Sequence, residues 1–327
     1  MMTRTGAMNL ITDVPGLKVG QAADADVLTG VTVIRPARPS VCAVHVAGGG
    51  PGTRETDALK LGTLVDEVDA ITLSGGSVYG LASADGVIAE IGARGEGFSL
   101  MDMPGVPKSP IVPLAILYDL ANGGNKDWGN NPPYVELGRQ AYHAIGKPLQ
   151  LGAFGAGIGA RAGSQPGGIG SASWVNEAGI TVGAIAAVNC FGSVLIPGTD
   201  QFWAAPFEQG DEFGGCGTPS RYQFDAEDWG AAKMNPAPRQ NTTIACIATD
   251  ADLTPSECQR LSDMAVAGLA RAIRPVFAPF DGDVVFALAT GDVPIGENRP
   301  TMLSRLGELA ASALARSVAR GVYAATI

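Results

Sequence analysis

Gln240-Asn241-Thr242-Thr243-Ile244-Ala245-Cys246-Ile247-Ala248-Thr249 is the stretch from which the rest of this chain is best read. From Thr242 onward every residue is apolar or carries a hydroxyl, and Thr242 to Thr249 reads as a buried strand. Beyond it, Thr254-Pro255-Ser256-Glu257 marks a helix start. Threonine takes the N-cap, proline the first helical position, and glutamate completes a capping box. That helix is expected to run to about Ile273. A strand at Val284 to Ala289 follows, introduced by Asp281-Gly282-Asp283. A last helix from near Pro300 to near Gly321 presents Leu303, Leu306, Leu309, Ala310, Ala313, Leu314 and Val318 as its apolar face.

Upstream, Val41 to Val46 reads as a strand followed by a glycine-rich turn at Gly48 to Gly52. Arg54 to Val68 has helical spacing of Leu59, Leu61, Leu64, Val65 and Val68, and Ala70 to Leu73 is a short buried strand. Ser74-Gly75-Gly76-Ser77 comes next, then a small-residue helix at Val78 to Ile91 whose glycines and alanines imply close packing against a neighbour. Asn122 to Pro133 is loop, Val135 to Ile145 helix, and Leu149 to Gly170 glycine-rich and extended. Ile180 to Val188 reads as a central strand ending in Asn189. Strands and helices alternate throughout, so an α/β layered fold is expected, with no clean linker and no repeat.

The chain has 327 residues, 46% hydrophobic and 17% charged, which suits a globular fold. A formal net charge of -10 disfavours phosphate backbones, so nucleic acid is set aside. The first residues, Met1 to Asp13, lack an apolar signal-peptide core, and no run approaches the roughly 18 to 20 apolar residues of a membrane span. The five cysteines are scattered without a C-x-x-C, which argues against a disulfide framework or a zinc site. A cytoplasmic protein without membrane, nucleic-acid or metal partners is the expectation.

Much familiar catalytic chemistry is missing. There are two histidines, His45 in an apolar strand and His143 in a helix, and neither stands near a nucleophile signature, so structural roles are expected for both. Gly155-Ala156-Gly157-Ile158-Gly159-Ala160 fits G-x-G-x-x-A, but the glycines and proline that follow forbid the helix a dinucleotide site needs. What remains is the segment Thr199 to Gln240, long, rich in glycine and acids, and ending at Asn241-Thr242. Such segments inside compact proteins are usually functional or mobile. A hydroxyl residue at the start of a strand suits an N-terminal nucleophile. Once the chain is cut before Thr242, its own α-amine, with a pKa of about 7.7–8.0, becomes the local base and no histidine is required. On these residues alone, a plain loop-to-strand boundary is the stronger reading.

Other segments shift that balance. Ile11-Thr12-Asp13-Val14-Pro15-Gly16, Gly30-Val31-Thr32-Val33-Ile34, Leu73-Ser74-Gly75-Gly76-Ser77-Val78-Tyr79-Gly80-Leu81, Val188-Asn189, Asn241-Thr242-Thr243-Ile244 and Asp281-Gly282-Asp283 together resemble the DmpA-like peptidase family (L-aminopeptidase/D-esterase, β-aminopeptidase). The likeness covers nearly the whole chain in order. The Asn-Thr junction and Ile116-Leu117-Tyr118-Asp119 look most like the nylon-oligomer (6-aminohexanoate oligomer) endo-hydrolase branch. The resemblance implies a four-layer αββα sandwich in a single domain, no cofactor, and a homo-oligomer, a tetramer. It also implies self-cleavage into 1–241 and 242–327 at Asn241, and hydrolysis of linear amide bonds in small or oligomeric substrates. It carries Thr242 over as nucleophile, Asn189 as an oxyanion-side or positioning group, and Asp281 and Asp283 as acids beside the nucleophile. Tyr118 and Arg161 fall on the substrate side. One departure stands out. The family's lysine in the glycine-rich segment is replaced here by Ser164-Gln165-Pro166-Gly167-Gly168, leaving Arg161 as the nearest cation. An unprocessed, non-catalytic oligomeric binding protein of the same fold is the alternative this departure suggests.

Overall fold

The computed structural model describes residues 3–101, 103–233 and 241–327. Met1, Gln240 and the end of the long segment before Asn241 lie outside the described residues. In chain order the first strands are β1 (Leu17–Asp24), β2 (Thr29–Pro36), β3 (Ser40–Val46), β4 (Thr53–Arg54), β5 (Glu67–Val68) and β6 (Ile71–Ser74). Then come α1 (Ser83–Gly92), β7 (Leu114–Ile116), α2 (Tyr134–His143), β8 (Arg161–Ala162), β9 (Gln165–Pro166), β10 (Gly168–Val175) and β11 (Thr181–Asn189). The C-terminal part holds β12 (Thr242–Ala251), α3 (Pro255–Ala265), α4 (Ala267–Ala272), β13 (Val284–Val293) and α5 (Arg299–Thr326).

Two large sheets form beside the small β8-β9 pair, one in the order β10-β11-β12-β13-β3-β5 and the other β1-β2-β6-β7-β4. The period-2 alternation of a strand explains how they stack. Along β12, Ile244, Cys246 and Ala248 point to the space between the sheets and share a core with Ile34 and Leu73 of the second sheet and Leu117 just after β7. Ala245 and Ile247 point the other way, into a layer with Leu261, Leu269, Leu306 and Leu314 of α3, α4 and α5. The outer face of the second sheet buries Val31 and Val33 against Val87 and Ile91 of α1 and Leu137 and Ala141 of α2. The result is the expected four-layer αββα sandwich, whose fully buried aliphatic side chains are each worth roughly 1.5–3 kcal/mol.

Glycine sets the closest approaches. A Cβ on Gly86 would lie 2.1 Å from the Val135 carbonyl oxygen, and one on Gly138 would lie 2.1 Å from that of Ser83, so α1 and α2 touch backbone to backbone. On the other side, a Cβ on Gly170 would sit 1.8 Å from the Ser317 oxygen, which lets α5 lie directly on β10.

The structure corrects several sequence-based expectations. Arg54 to Val68 is not a helix but β4, a short 3-10 turn at Thr56–Leu59 and β5. Gly62 takes φ 87°, and the Thr63 hydroxyl bonds the Ala58 and Lys60 carbonyls, which closes the chain into a turn. Leu61 and Leu64 consequently stay exposed. The helix expected from Val78 begins as a 3-10 segment, Ser77–Ala82, before α1. The helix after the capping box breaks at Val266 into α3 and α4. The glycine-rich extended stretch contains the β8–β9 hairpin, and the sequence reading passed over β1 and β2 altogether. Among the described residues no helix is long and apolar enough to cross a membrane.

Candidate active site

Three strand ends meet at one place. β11 and β12 are antiparallel, with Asn189 paired to Thr242. β12 and β13 are parallel, and the lead into β13 carries Asp281-Gly282-Asp283, with Asn241 bridged to Asp281. The glycine-rich turn after β3 closes over them. Ala47 N–H donates to the Asp283 carbonyl at 2.9 Å and Gly50 N–H to that of Asp281 at 2.7 Å. A Cβ on Gly48 would lie 2.3 Å from the Asp281 oxygen, so a side chain there is excluded.

The Asn241–Thr242 peptide is buried at this junction. The Thr242 hydroxyl donates to the Asn241 carbonyl oxygen, and the Gly282 N–H donates to the same oxygen at 2.9 Å. A side-chain hydroxyl and a backbone N–H thus converge on one carbonyl oxygen. A fixed donor of this kind is typically worth about 3 kcal/mol when the oxygen becomes an oxyanion. Both polar atoms of the Asn241 side chain lack a partner among the described residues, as does Asp281 Oδ1. Buried polar groups are nearly always bonded, so their clustering here marks a site rather than a frame.

The electrostatics are unusual as well. Asp283 is fully buried and accepts the Thr243 N–H at 2.6 Å. Burial, and then the neighbouring Asp281 charge, push its carboxyl up to about 8. Burial also raises Asp281, against the lowering influence of the Ala278 and Phe191 N–H groups and the Lys233 charge. A charge on Asp281 therefore disfavours a charge on Asp283. Lys233, from the long segment, lies half-buried there too. Its Nζ donates to the Asn189 carbonyl at 3.3 Å and its backbone N–H to that of Phe191 at 3.0 Å. Burial lowers its ammonium to about 8, although Cys190 and Asp281 pull the other way.

Most of the expected residues come together here. Asn189 Oδ1 accepts the Arg161 backbone N–H at 2.9 Å and Asn122 Nδ2 at 3.2 Å, and its Nδ2 donates to the Tyr118 carbonyl at 3.0 Å. Asn189, Tyr118 and the Arg161 backbone are therefore one hydrogen-bonded group. The Arg161 guanidinium points elsewhere, to the Ser164 carbonyl at 3.1 Å on the exposed side. Asn122 and Lys233 were missed by the sequence reading. No motif surrounds Lys233, and the available signal was that it is a cation in the segment leading to Asn241.

The remaining motifs lie outside this group. His45 bonds Asp263 at 2.8 Å and His143 lies 3.2 Å from Glu90, both as surface pairs. The G-x-G-x-x-A stretch forms a 3-10 turn at Gly155–Gly157 with no helix after it. Among the described residues no group of three or more His, Cys, Asp or Glu is placed to hold a metal ion.

Comparison with known proteins bears on what this site does. The family model described as peptidase family S58 matches residues 9–327. An uncharacterized aminopeptidase of Mycobacterium tuberculosis is 42% identical over 338 residues, spanning 96% of this chain and 94% of its own. A 6-aminohexanoate-oligomer endohydrolase of a Kocuria species is 28% identical over 301 residues, spanning 89% of this chain and 78% of its own. Among solved structures, a Burkholderia β-aminopeptidase has a TM-score of 0.71 at 24% identity, covering 98% of this chain and 88% of that one. An L-aminopeptidase D-Ala-esterase/amidase of Ochrobactrum anthropi, described as a variant of the Ntn hydrolase fold, has a TM-score of 0.70 at 21% identity, covering 99% and 88%. At these identities the two structures establish the fold.

Proposed function

The chain belongs to peptidase family S58 and is a hydrolase of peptide or amide bonds, and from that premise we propose that it activates itself by cutting between Asn241 and Thr242. The observation that carries this reading is the pair of contacts on the Asn241 carbonyl, the Thr242 hydroxyl on one hand and the Gly282 N–H on the other. Attack of the hydroxyl oxygen on the carbonyl carbon moves negative charge to the oxygen that Gly282 holds. The C–N bond then breaks, an ester links Asn241 to Thr242, and water hydrolyses it. The products are residues 1–241 and 242–327.

The two products do not part. β12 and β13, both from the smaller piece, sit between β11 and β3 of the larger one in a single sheet. Cutting leaves Thr242 at a chain start with a free α-amine beside its hydroxyl, the arrangement that makes a threonine a nucleophile without histidine. Asp281 and Asp283 then hold the α-ammonium. Asn189, fixed by Arg161 and Asn122, positions the acyl group, and Tyr118 lines the substrate side. Arg161 serves the same side through its backbone more than its guanidinium.

The substrates in this reading are linear amides: N-terminal residues of peptides, β-amino amides, or 6-aminohexanoate oligomers. The 42% identity to the mycobacterial aminopeptidase against 28% to the nylon-oligomer enzyme puts peptide amides first for assay. The test is hydrolysis of amino-acid anilides, β-alanyl anilides and 6-aminohexanoate oligomers by the purified protein and its Thr242→Ala variant. Turnover of one class by the wild type, lost in the variant, supports the reading. Equal turnover by both rules Thr242 out as nucleophile. The non-catalytic binding-protein alternative drew its support from the missing lysine, and Lys233 brings a half-buried cation to this place from another segment.

A further inference from the structure

Asn189 is held by a turn, and that turn is held by a buried carboxylate. Tyr118, whose carbonyl accepts from Asn189 Nδ2, and Asn122, whose Nδ2 donates to Asn189 Oδ1, stand on either side of Asp119. The Asn122 N–H closes the turn on the Asp119 carbonyl at 3.0 Å. The Asp119 side chain is fully buried. Its Oδ2 accepts the Thr29 hydroxyl at 2.6 Å, at the start of β2, and its Oδ1 accepts the Gly76 N–H at 2.8 Å, just after β6. Both donors are neutral, and Lys126 donates to the Val27 and Leu28 carbonyls instead. A carboxylate buried among neutral donors is costly to fold around, so it calls for a reason beyond the frame.

The surrounding backbone is shaped to seat it. A Cβ on Gly75 would lie 2.1 Å from Asp119 Oδ2 and 2.4 Å from Thr29 Oγ1, and one on Gly159 would lie 3.1 Å from Asp119 Cβ. The Gly159 carbonyl also accepts from Asn122 Nδ2 at 2.8 Å. The glycines of Ser74-Gly75-Gly76-Ser77 and the last glycine of the G-x-G-x-x-A stretch thus close around one carboxylate. We propose that Asp119 is a positioning residue for amide hydrolysis: pinned by Thr29 and Gly76, it fixes the turn that offers the Tyr118 carbonyl and the Asn122 amide to the two ends of the Asn189 side chain. This rests on Asn189 positioning the acyl group beside Thr242. With the Arg161 N–H and Asn122 Nδ2 on its oxygen and the Tyr118 carbonyl on its nitrogen, the Asn189 amide has one orientation. An amide free to turn over would present its oxygen as often as its nitrogen, and only the nitrogen can donate to a developing oxyanion.

The experiment measures kcat and KM separately on L-alanyl p-nitroanilide, β-alanyl p-nitroanilide and linear 6-aminohexanoate oligomers. The wild type, Asp119→Ala, Asp119→Asn and Gly75→Ala are compared, with rates referred to the amount of processed chain. Circular dichroism checks that each folds, and crystals of Asp119→Ala locate Asn189. Asp119→Ala frees the turn and is expected to lower kcat about tenfold while KM stays within about twofold. In its crystals the Asn122–Asn189 contact is expected to be lost. Asp119→Asn keeps an oxygen for the Gly76 N–H and offers an N–H that the Thr29 hydroxyl can accept, so it should regain most of the lost rate. Gly75→Ala leaves Asp119 in the chain but displaces its carboxyl, and should lower kcat in the same way. It carries the test should Asp119→Ala fail to fold. A folded Asp119→Ala with wild-type kcat, a loss confined to KM, or an asparagine variant as slow as the alanine one overturns the proposal while leaving Thr242 in place. So does an Asn189 that keeps its place in the Asp119→Ala crystals. A wild type that turns over none of the three probes overturns the reading of the site, and this proposal with it.

Discussion

Two buried charged clusters lie at opposite ends of the sheet of β10 to β13, and they are built on opposite principles. One joins the long segment to α5. Glu212 accepts from Arg316 at 2.6 and 2.8 Å and from Asn9 Nδ2 at 2.6 Å. Arg316, fully buried, also donates to the Ser173 carbonyl and lies 4.5 Å over the Trp174 ring. Nearly every polar atom there has a partner. The other is the Asn241–Thr242 junction, where three buried side-chain atoms of Asn241 and Asp281 have none among the described residues and two carboxyls crowd each other. A saturated cluster holds a fold together. An unsaturated one stores unmet hydrogen-bonding capacity where charge is to move.

If that contrast is right, damage to the first cluster should appear as instability and damage to the second as lost chemistry. The largest stability effect is expected from Arg316→Met, which takes away the cation bonded twice to Glu212, leaves that buried carboxylate with Asn9 and the longer Arg320 contact at 3.6 Å, and should cost about 3 kcal/mol in denaturant unfolding. The fraction that still folds should cut itself normally. Gly282→Ala tests the other end. A Cβ there would lie 2.7 Å from Thr242 Oγ1 and 2.9 Å from the Gly50 oxygen. Displacing the hydroxyl by a fraction of an ångström should slow self-cleavage on the order of 100-fold, read from fragment formation over time, with only a modest stability loss.

The clusters should also answer pH with opposite signs. Burial raises Glu212, but the Arg316 hydrogen bond and charge more than offset it, and the net effect is a carboxyl below its usual range. Its contribution to stability is therefore present above the unfolded pKa and lost as pH falls. Asp283 is raised to about 8, so its contribution is fully present below its unfolded pKa and lost as pH rises through 8. Calorimetry in the uncut Thr242→Ala background checks both. Asp283→Asn, which removes a buried charge at high pH, should raise the unfolding midpoint by about 1–2 °C at pH 9. Glu212→Gln should lower it at pH 7, with the gap shrinking toward pH 4. The smallest effect belongs to the histidines. His143→Gln touches only a surface pair and should change stability by less than about 0.5 kcal/mol and hydrolysis not at all.

The second cluster was more legible in the sequence than the first. The Asn241-Thr242 junction, Asp281-Gly282-Asp283 and Asn189 each mark a strand end through local residue chemistry, and the capping box at Thr254 forms as read, with Glu257 N–H on the threonine hydroxyl. Family resemblance then joined segments that lie far apart in the chain. What stayed hidden depends on tertiary contact. β2 is buried on both faces and shows no alternation, so its pairing with β1 left no period to find. Arg54 to Val68 has helical spacing, but Gly62 and Thr63 turn the chain before a helix can propagate. Lys233 lies in a segment without periodicity, and only folding brings it to Asn189. Arg316 looks, in sequence, like any charge on a surface helix.

The central claim is that Thr242 cuts the chain before it. The most direct measurement is the intact mass of freshly purified protein under denaturing conditions, beside Thr242→Ala. Two fragments meeting between Asn241 and Thr242 in the wild type, with one full-length chain in the variant, is the predicted result. A single full-length chain in both, unchanged after days at neutral pH, would contradict it.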